Sequence, residues 1–130
     1  MKIGFTGTQR GMTPAQQYEV AHLLTAEDEL HHGDCVGADE QVHGLALILS
    51  IPIIRHLPWD EKKRAFCKGG KEVEPKPYLK RNRDIVDATD VLVAAPSGPE
   101  VLRSGTWSTV RYALKQKKPV FVVMPDGSAG

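Results

Sequence analysis

Asp90-Val91-Leu92-Val93-Ala94-Ala95 is, after its opening aspartate, an uninterrupted apolar run closed by Pro96, and Pro119-Val120-Phe121-Val122-Val123-Met124 repeats the pattern about thirty residues later. A strand that is apolar at successive rather than alternate positions is one covered on both faces. Between the two runs, residues 106–117 place Trp107, Val110, Tyr112, Ala113 and Leu114 at helical spacing, which predicts a helix with that side buried. Strand, helix, strand in this order is the unit from which parallel sheets with helices on both faces are built.

The alternation continues toward the N-terminus. Lys2-Ile3-Gly4-Phe5 reads as a strand stopped by Thr6-Gly7-Thr8. Thr13-Pro14 supplies an N-cap and a proline at the first helical position, and Val20, Leu23 and Leu24 carry the helix over about 14–26. Glu29 to His32 is a weaker strand ending in Gly33-Asp34. Gly37-Ala38-Asp39 opens a second helix, striped by Val42, Leu45, Ala46 and Leu49. Ile51 to Leu57 is a third strand, bounded by Pro52 and Pro58, and Tyr78 to Ala88 recovers helical spacing through Leu79, Ile85 and Val86. Trp59 to Pro77, with its charges, Gly69-Gly70 and two prolines, reads as a long loop. The expectation is a single α/β domain over residues 1–130, Rossmann-like and three-layered, with a mostly parallel five-stranded sheet. In such sheets ligands bind outside the carboxyl ends of the strands, where this sequence keeps its Gly, Thr, Ser, Asp and Arg residues.

Composition agrees with one globular domain. The chain has 130 residues, 41% hydrophobic and 25% charged, which excludes wholesale disorder. No apolar run exceeds the five residues of Leu45 to Leu49, so no membrane partner is expected. Met1-Lys2 leads directly into a strand, without the apolar core of a secretory leader. The two cysteines, Cys35 and Cys67, suit a reducing compartment, and the expected location is cytoplasmic. The net charge of +1 is unevenly spread: residues 11–54 hold seven acids and no Lys or Arg, whereas residues 55–83 hold ten bases and four acids. That polarity points to an anionic ligand on one side.

Four segments carry chemistry. Gly4 to Gly11 joins a glycine turn to the hydroxyls of Thr6 and Thr8 and to the charge of Arg10, a means of holding phosphate oxygens around Gly7. Gly33 to Glu40 sets Gly37 and Asp39 at a helix start, with His43 one turn on. Tyr78 to Asp84 contains Arg81-Asn82-Arg83, and arginine suits bidentate phosphate recognition. Arg103 to Thr109 brings Ser104, Gly105, Thr106 and Thr109 to a helix N-terminus, the best anion cradle in the chain. Trp107 beside them is read as core rather than as a stacking platform. His31, His32, Cys35 and His43 match no zinc spacing, and neither metal nor cofactor is expected.

In this order the four segments resemble the SLOG superfamily, which groups the Smf/DprA DNA-processing proteins with the LOG nucleotide hydrolases. The closest stretch, Arg103-Ser104-Gly105-Thr106-Trp107-Ser108-Thr109-Val110-Arg111-Tyr112-Ala113-Leu114 followed by Val120-Phe121-Val122-Val123, resembles the DprA pattern R-S-G-S-x-x-T-A-R-x-A-L with V-F-x-V. The resemblance implies a nucleotide-type small molecule as ligand. Gly7, Thr8, Ser104, Gly105 and Thr106 would hold its phosphate, Arg81 and Arg83 would neutralise it, and Asp39 would bind a ribose hydroxyl or orient a neighbour. It implies two alternatives: single-stranded DNA as partner, as for DprA, or N-glycosidic hydrolysis of nucleoside 5′-monophosphates, as for LOG. The LOG glutamate of P-G-G-x-G-T-x-x-E is replaced here by Thr109, leaving Asp34, Asp39 or Glu100 as substitutes. The family also implies a homo-oligomer.

Overall fold

A computed structural model describes all 130 residues. Its strands are β1 (Lys2–Gly7), β2 (Glu29–His32), β3 (Ile53–Pro58), β4 (Lys71–Lys76), β5 (Val91–Ala95) and β6 (Val120–Val122). They form one sheet in the order β4-β3-β2-β1-β5-β6, parallel at every pairing. The helices are α1 (Pro14–Leu23), α2 (Ala38–Ile48), α3 (Tyr78–Asp87) and α4 (Gly105–Lys115).

Alternation along β5 shows why its sequence is apolar throughout. Val91, Val93 and Ala95 join Val20 of α1 and Ala38, Val42 and Ala46 of α2 in one core. Leu92 and Ala94 face the other way, onto Val86 of α3 and Val110 and Ala113 of α4. Two helices on each face make the expected three layers. Gly4 permits the tightest approach: a Cβ there would lie 2.8 Å from Thr89 Oγ1 and 3.1 Å from Ile85, so α3 rests directly on β1.

Local signals hold where they were strongest. Thr13 caps α1 through a reciprocal capping box with Gln16, followed by Pro14. The helix stops at Leu23, short of the expected 26.

Three expectations are corrected. The sheet has six strands, not five, because Lys71-Glu72-Val73-Glu74-Pro75-Lys76 pairs with β3 inside the segment read as loop. With one half-buried apolar residue, Val73, and a proline, it carries no strand pattern. It is an edge strand, where proline is tolerated and charges discourage pairing with another chain. The β3-to-β4 crossover, residues 59–70, holds only one 3-10 turn at Glu61–Lys63. Secondly, β6 is not buried: Phe121 is exposed and Val120 and Val122 half-buried, as befits the opposite edge. Thirdly, Leu114 on α4 points to solvent, while Val110 and Ala113 supply its buried side. No helix is long and apolar enough to cross a membrane.

Candidate functional site

The chain leaves β1 on one side of the sheet to build β2, β3 and β4, then returns through α3 to place β5 on the other side. Loops following β1 and β5 therefore diverge, and the crevice between them is where ligands bind in open α/β sheets. A cavity of about 920 Å³ lies there. Its wall includes Gly7, Thr8 and Arg10 after β1, Ser97 to Pro99 after β5, and Arg103 to Trp107 at the start of α4. Trp59, Asp60 and Lys63 from the β3–β4 crossover, with Tyr78 at the start of α3, complete it.

The turn after β1 is fixed by its own backbone. The Thr8 N–H donates to Ala95 O (3.0 Å), Thr8 O accepts from Ala38 (2.9 Å) and Gly11 (3.2 Å), and Thr8 Oγ1 accepts from the Arg10 N–H (3.1 Å). This stitches β1, β5 and the start of α2 together. Gly37 is obligatory at that junction: its φ is +87°, and a Cβ would collide with the Gln9 carbonyl. At the start of α4, Ser104 Oγ accepts the Trp107 N–H (3.2 Å), so the cap is built. The Gly105 and Thr106 N–H groups belong to the turn that has no intrahelical acceptor, the positive end of the helix dipole. Three cations, Arg10, Lys63 and Arg103, line the cavity against one carboxylate, Asp60. This wall suits a phosphate-bearing ligand.

Six expected site residues thus gather at one cavity: Gly7, Thr8, Arg10, Ser104, Gly105 and Thr106. The others sit elsewhere. Asn82, Arg83 and Thr109 line a second groove of about 330 Å³ between α3 and α4, where the Thr109 hydroxyl donates to Gly105 O (2.8 Å). Thr6 and Gly37 lie outside the wall, although Gly37 abuts the Thr8–Gln9 backbone. Arg81 corrects the reading most sharply. Its side chain is buried, and the guanidinium donates to the carbonyls of Gly33 and His56 and to Asn82 Oδ1 (2.8 Å). It also lies against Cys35 Sγ (3.6 Å) and the Tyr78 ring (4.9 Å to the centroid). It braces the loop after β2 and does not line the cavity.

Asp39 is buried with it, accepting N–H groups from Gly33 (3.1 Å) and Cys35 (3.2 Å) through Oδ2. Burial lifts its carboxyl to about 6, against the opposing pull of Arg81 and the two amides. Of the carboxylates considered from the sequence, Asp34 and Asp39 are buried away from the wall, and Glu100 is paired with Arg111 at 2.9 Å.

Sequence reading missed the support beneath the site. Asp34, fully buried, accepts Arg64 Nε (2.8 Å) and the Cys67 N–H (2.9 Å), with Arg55 Nη1 at 3.7 Å. Burial raises its carboxyl, but the hydrogen bonds from Arg64 and Cys67 outweigh that and hold it below the ordinary range. His32 and His43 form a second clasp. Asp34 N–H donates to His32 Nδ1 (3.0 Å), which leaves His32 Nε2–H to donate to His43 Nδ1 (2.9 Å) and His43 Nε2–H to donate to Lys68 O (2.8 Å). This chain works only with neutral rings, and burial beside His43 pushes His32 down to about 3. On the other face His31 links Glu29 (2.7 Å) to His56 (2.8 Å), and burial with its neighbouring histidine lowers His56 to about 4. The adjacent His31-His32 pair was a signal for burial, since neighbours on a strand face opposite sides.

No protein-family model and no curated protein sequence matches the chain. Solved structures do. A molybdenum cofactor binding protein from Rippkaea orientalis is similar over 95% of this chain and 76% of its own, at 26% identity and a TM-score of 0.74. DNA processing protein A (DprA) from Streptococcus pneumoniae matches 93% of this chain at 19% identity and a TM-score of 0.71, and this chain spans about half of it, 49%. DprA of Helicobacter pylori, described by its single-stranded DNA binding mode, matches 94% of this chain at 21% identity and a TM-score of 0.62, with 64% of its length covered. These structures share the three-layer parallel α/β fold of this chain, and two of them are DprA proteins, the group whose sequence pattern the segment Arg103 to Leu114 resembles.

Proposed function

We propose that this SLOG-type chain binds a phosphate-bearing nucleotide or nucleotide derivative in the cavity between β1 and β5. The observation that carries the reading is the convergence on one cavity of the turn after β1, the open end of α4 and three cations. Ser104, Gly105 and Thr106 hold the phosphate with Gly7 and Thr8, and Arg10 and Arg103 neutralise it. Asp39 and Arg81 act from behind, keeping the loop after β2 in place. The setting is cytoplasmic, where both thiols stay reduced.

Calorimetric titration with the four common nucleoside 5′-monophosphates tests this. Binding is expected, and replacing Arg10 and Arg103 together by alanine should weaken it about tenfold or more, the scale of a charge-assisted hydrogen bond. Both side chains are exposed, so the variant folds. Wild-type protein that binds none of the four, or a double variant that binds equally well, overturns the reading.

The similarity to the Rippkaea orientalis protein favours a second reading, in which the ligand is a phosphorylated pterin of the molybdenum cofactor type. The same cradle serves its phosphate. Pterin fluorescence released from the purified protein, with no affinity for nucleotides, would select this reading.

A further inference from the structure

Three aromatic residues line the cavity, and two of them are already engaged. Tyr78 carries the Arg81 guanidinium on its ring, and its hydroxyl closes against Gly105. Trp107 is half-buried against the α3–α4 core, with its indole N–H donating to Gly98 O (3.3 Å). Trp59 differs. It is 67% exposed, no ring or guanidinium stacks on it, and its backbone is fixed where its N–H donates to Lys76 O (3.0 Å). It stands just past β3, on a segment anchored through Arg64, Cys67 and Lys68 to the buried Asp34 and His43. A large apolar ring on rigid support, exposed at the wall of a cavity whose other wall is a phosphate cradle, is a shelf for a flat partner.

We infer that Trp59 stacks on a planar heterocycle joined to the phosphate, and so selects ligands with a ring over sugar phosphates without one. This inference rests on the phosphate-cradle reading above and adds its specificity. A purine, a pyrimidine and a pterin share the required flat π-face. Asp60, the next residue and the one carboxylate of the wall, caps the Lys62 N–H through Oδ1 and can accept from a ring amino group through its other oxygen. The ligand is thereby oriented, with its phosphate toward α4 and its ring toward the β3–β4 crossover.

The test compares adenosine 5′-monophosphate and guanosine 5′-monophosphate with ribose 5-phosphate, titrated into wild type, Trp59→Ala, Trp59→Phe and Arg103→Ala. Trp59→Ala is expected to lose about fivefold or more of the nucleotide affinity and none of the ribose 5-phosphate affinity, while Trp59→Phe keeps most of both. Tryptophan emission should be quenched by the nucleotide in wild type, with the Trp59 share of that quenching absent from Trp59→Phe. Nucleotide affinity unchanged in Trp59→Ala, with Arg103→Ala weakening all three ligands, overturns the stacking role and leaves the cradle standing. Absence of binding by every ligand to wild type overturns both. Because Trp59 is exposed, unchanged thermal unfolding of Trp59→Ala excludes a folding defect as the cause.

Discussion

Two loops leave the carboxyl ends of strands and flank the same cavity, and they are held in opposite ways. Residues 59–70 are tied to the interior: Arg64 and the Cys67 amide reach the buried Asp34 carboxylate, Ala65 N–H donates to Asp34 O (2.8 Å), and Lys68 O receives His43. Residues 97–104, beyond the buried Pro96, are held near the surface by Arg111, which donates to Glu100 (2.9 Å) and to Leu102 O (3.0 Å), and by the Trp107 indole. Leu102 at their tip is 84% exposed. One wall is thus fixed by desolvated charge and the other by contacts that water competes for. Any adjustment to a ligand falls to residues 97–104.

Breaking the fixed wall should have the largest effect. Asp34→Asn leaves Arg64 and Arg55 without their buried counter-charge, and should lower unfolding free energy in urea by about 3–5 kcal/mol. A loss below about 1 kcal/mol would place the clamp on a par with its surface counterpart. Acid attacks the same region through the histidines. His32 and His56, at about 3 and 4 in the fold, bind protons more readily once unfolded, near 6.5. Their contribution is complete above 6.5 and is lost as pH falls toward 4, about 2 kcal/mol for each at pH 5. Asp39 runs the other way: lifted to about 6, it favours the fold most below its unfolded value and loses that contribution as pH rises through 6. It returns about 1 kcal/mol at pH 5, leaving a net fall of roughly 3 kcal/mol between pH 7 and pH 5, measurable by urea unfolding. Arg111→Ala sharpens the contrast from the other side. It should cost under about 1 kcal/mol of stability while amide hydrogen exchange in residues 98–103 quickens.

The sequence made the scaffold legible where burial is two-sided or a cap is explicit. β5 and the Thr13-Pro14 start of α1 follow from local residues alone. β4 was hidden because an edge strand is held by backbone pairing on one side and needs no apolar face, so Lys71 to Lys76 looks like loop. The gathering of Gly7, Thr8, Ser104, Gly105 and Thr106 at one cavity was legible because these residues belong to turns at the ends of their own strand and helix. Arg81 was not, since an arginine between polar neighbours reads equally well as a ligand contact or as an internal brace. What decided it was the carbonyl of Gly33, forty-eight residues away in the chain. The Asp34 and histidine clasps have the same long-range character.

The two margins of the sheet carry a final consequence. At one margin β4 presents Lys71, Glu72, Glu74, Pro75 and Lys76. At the other, Val122 exchanges backbone hydrogen bonds with Gly130 (3.1 and 3.2 Å), and Val123 pairs with Ala129, so a returning tail occupies the open side of β6. One margin repels a foreign strand and the other is already taken. Growth of the sheet from molecule to molecule, the route by which exposed strands polymerise, is therefore disfavoured at both ends.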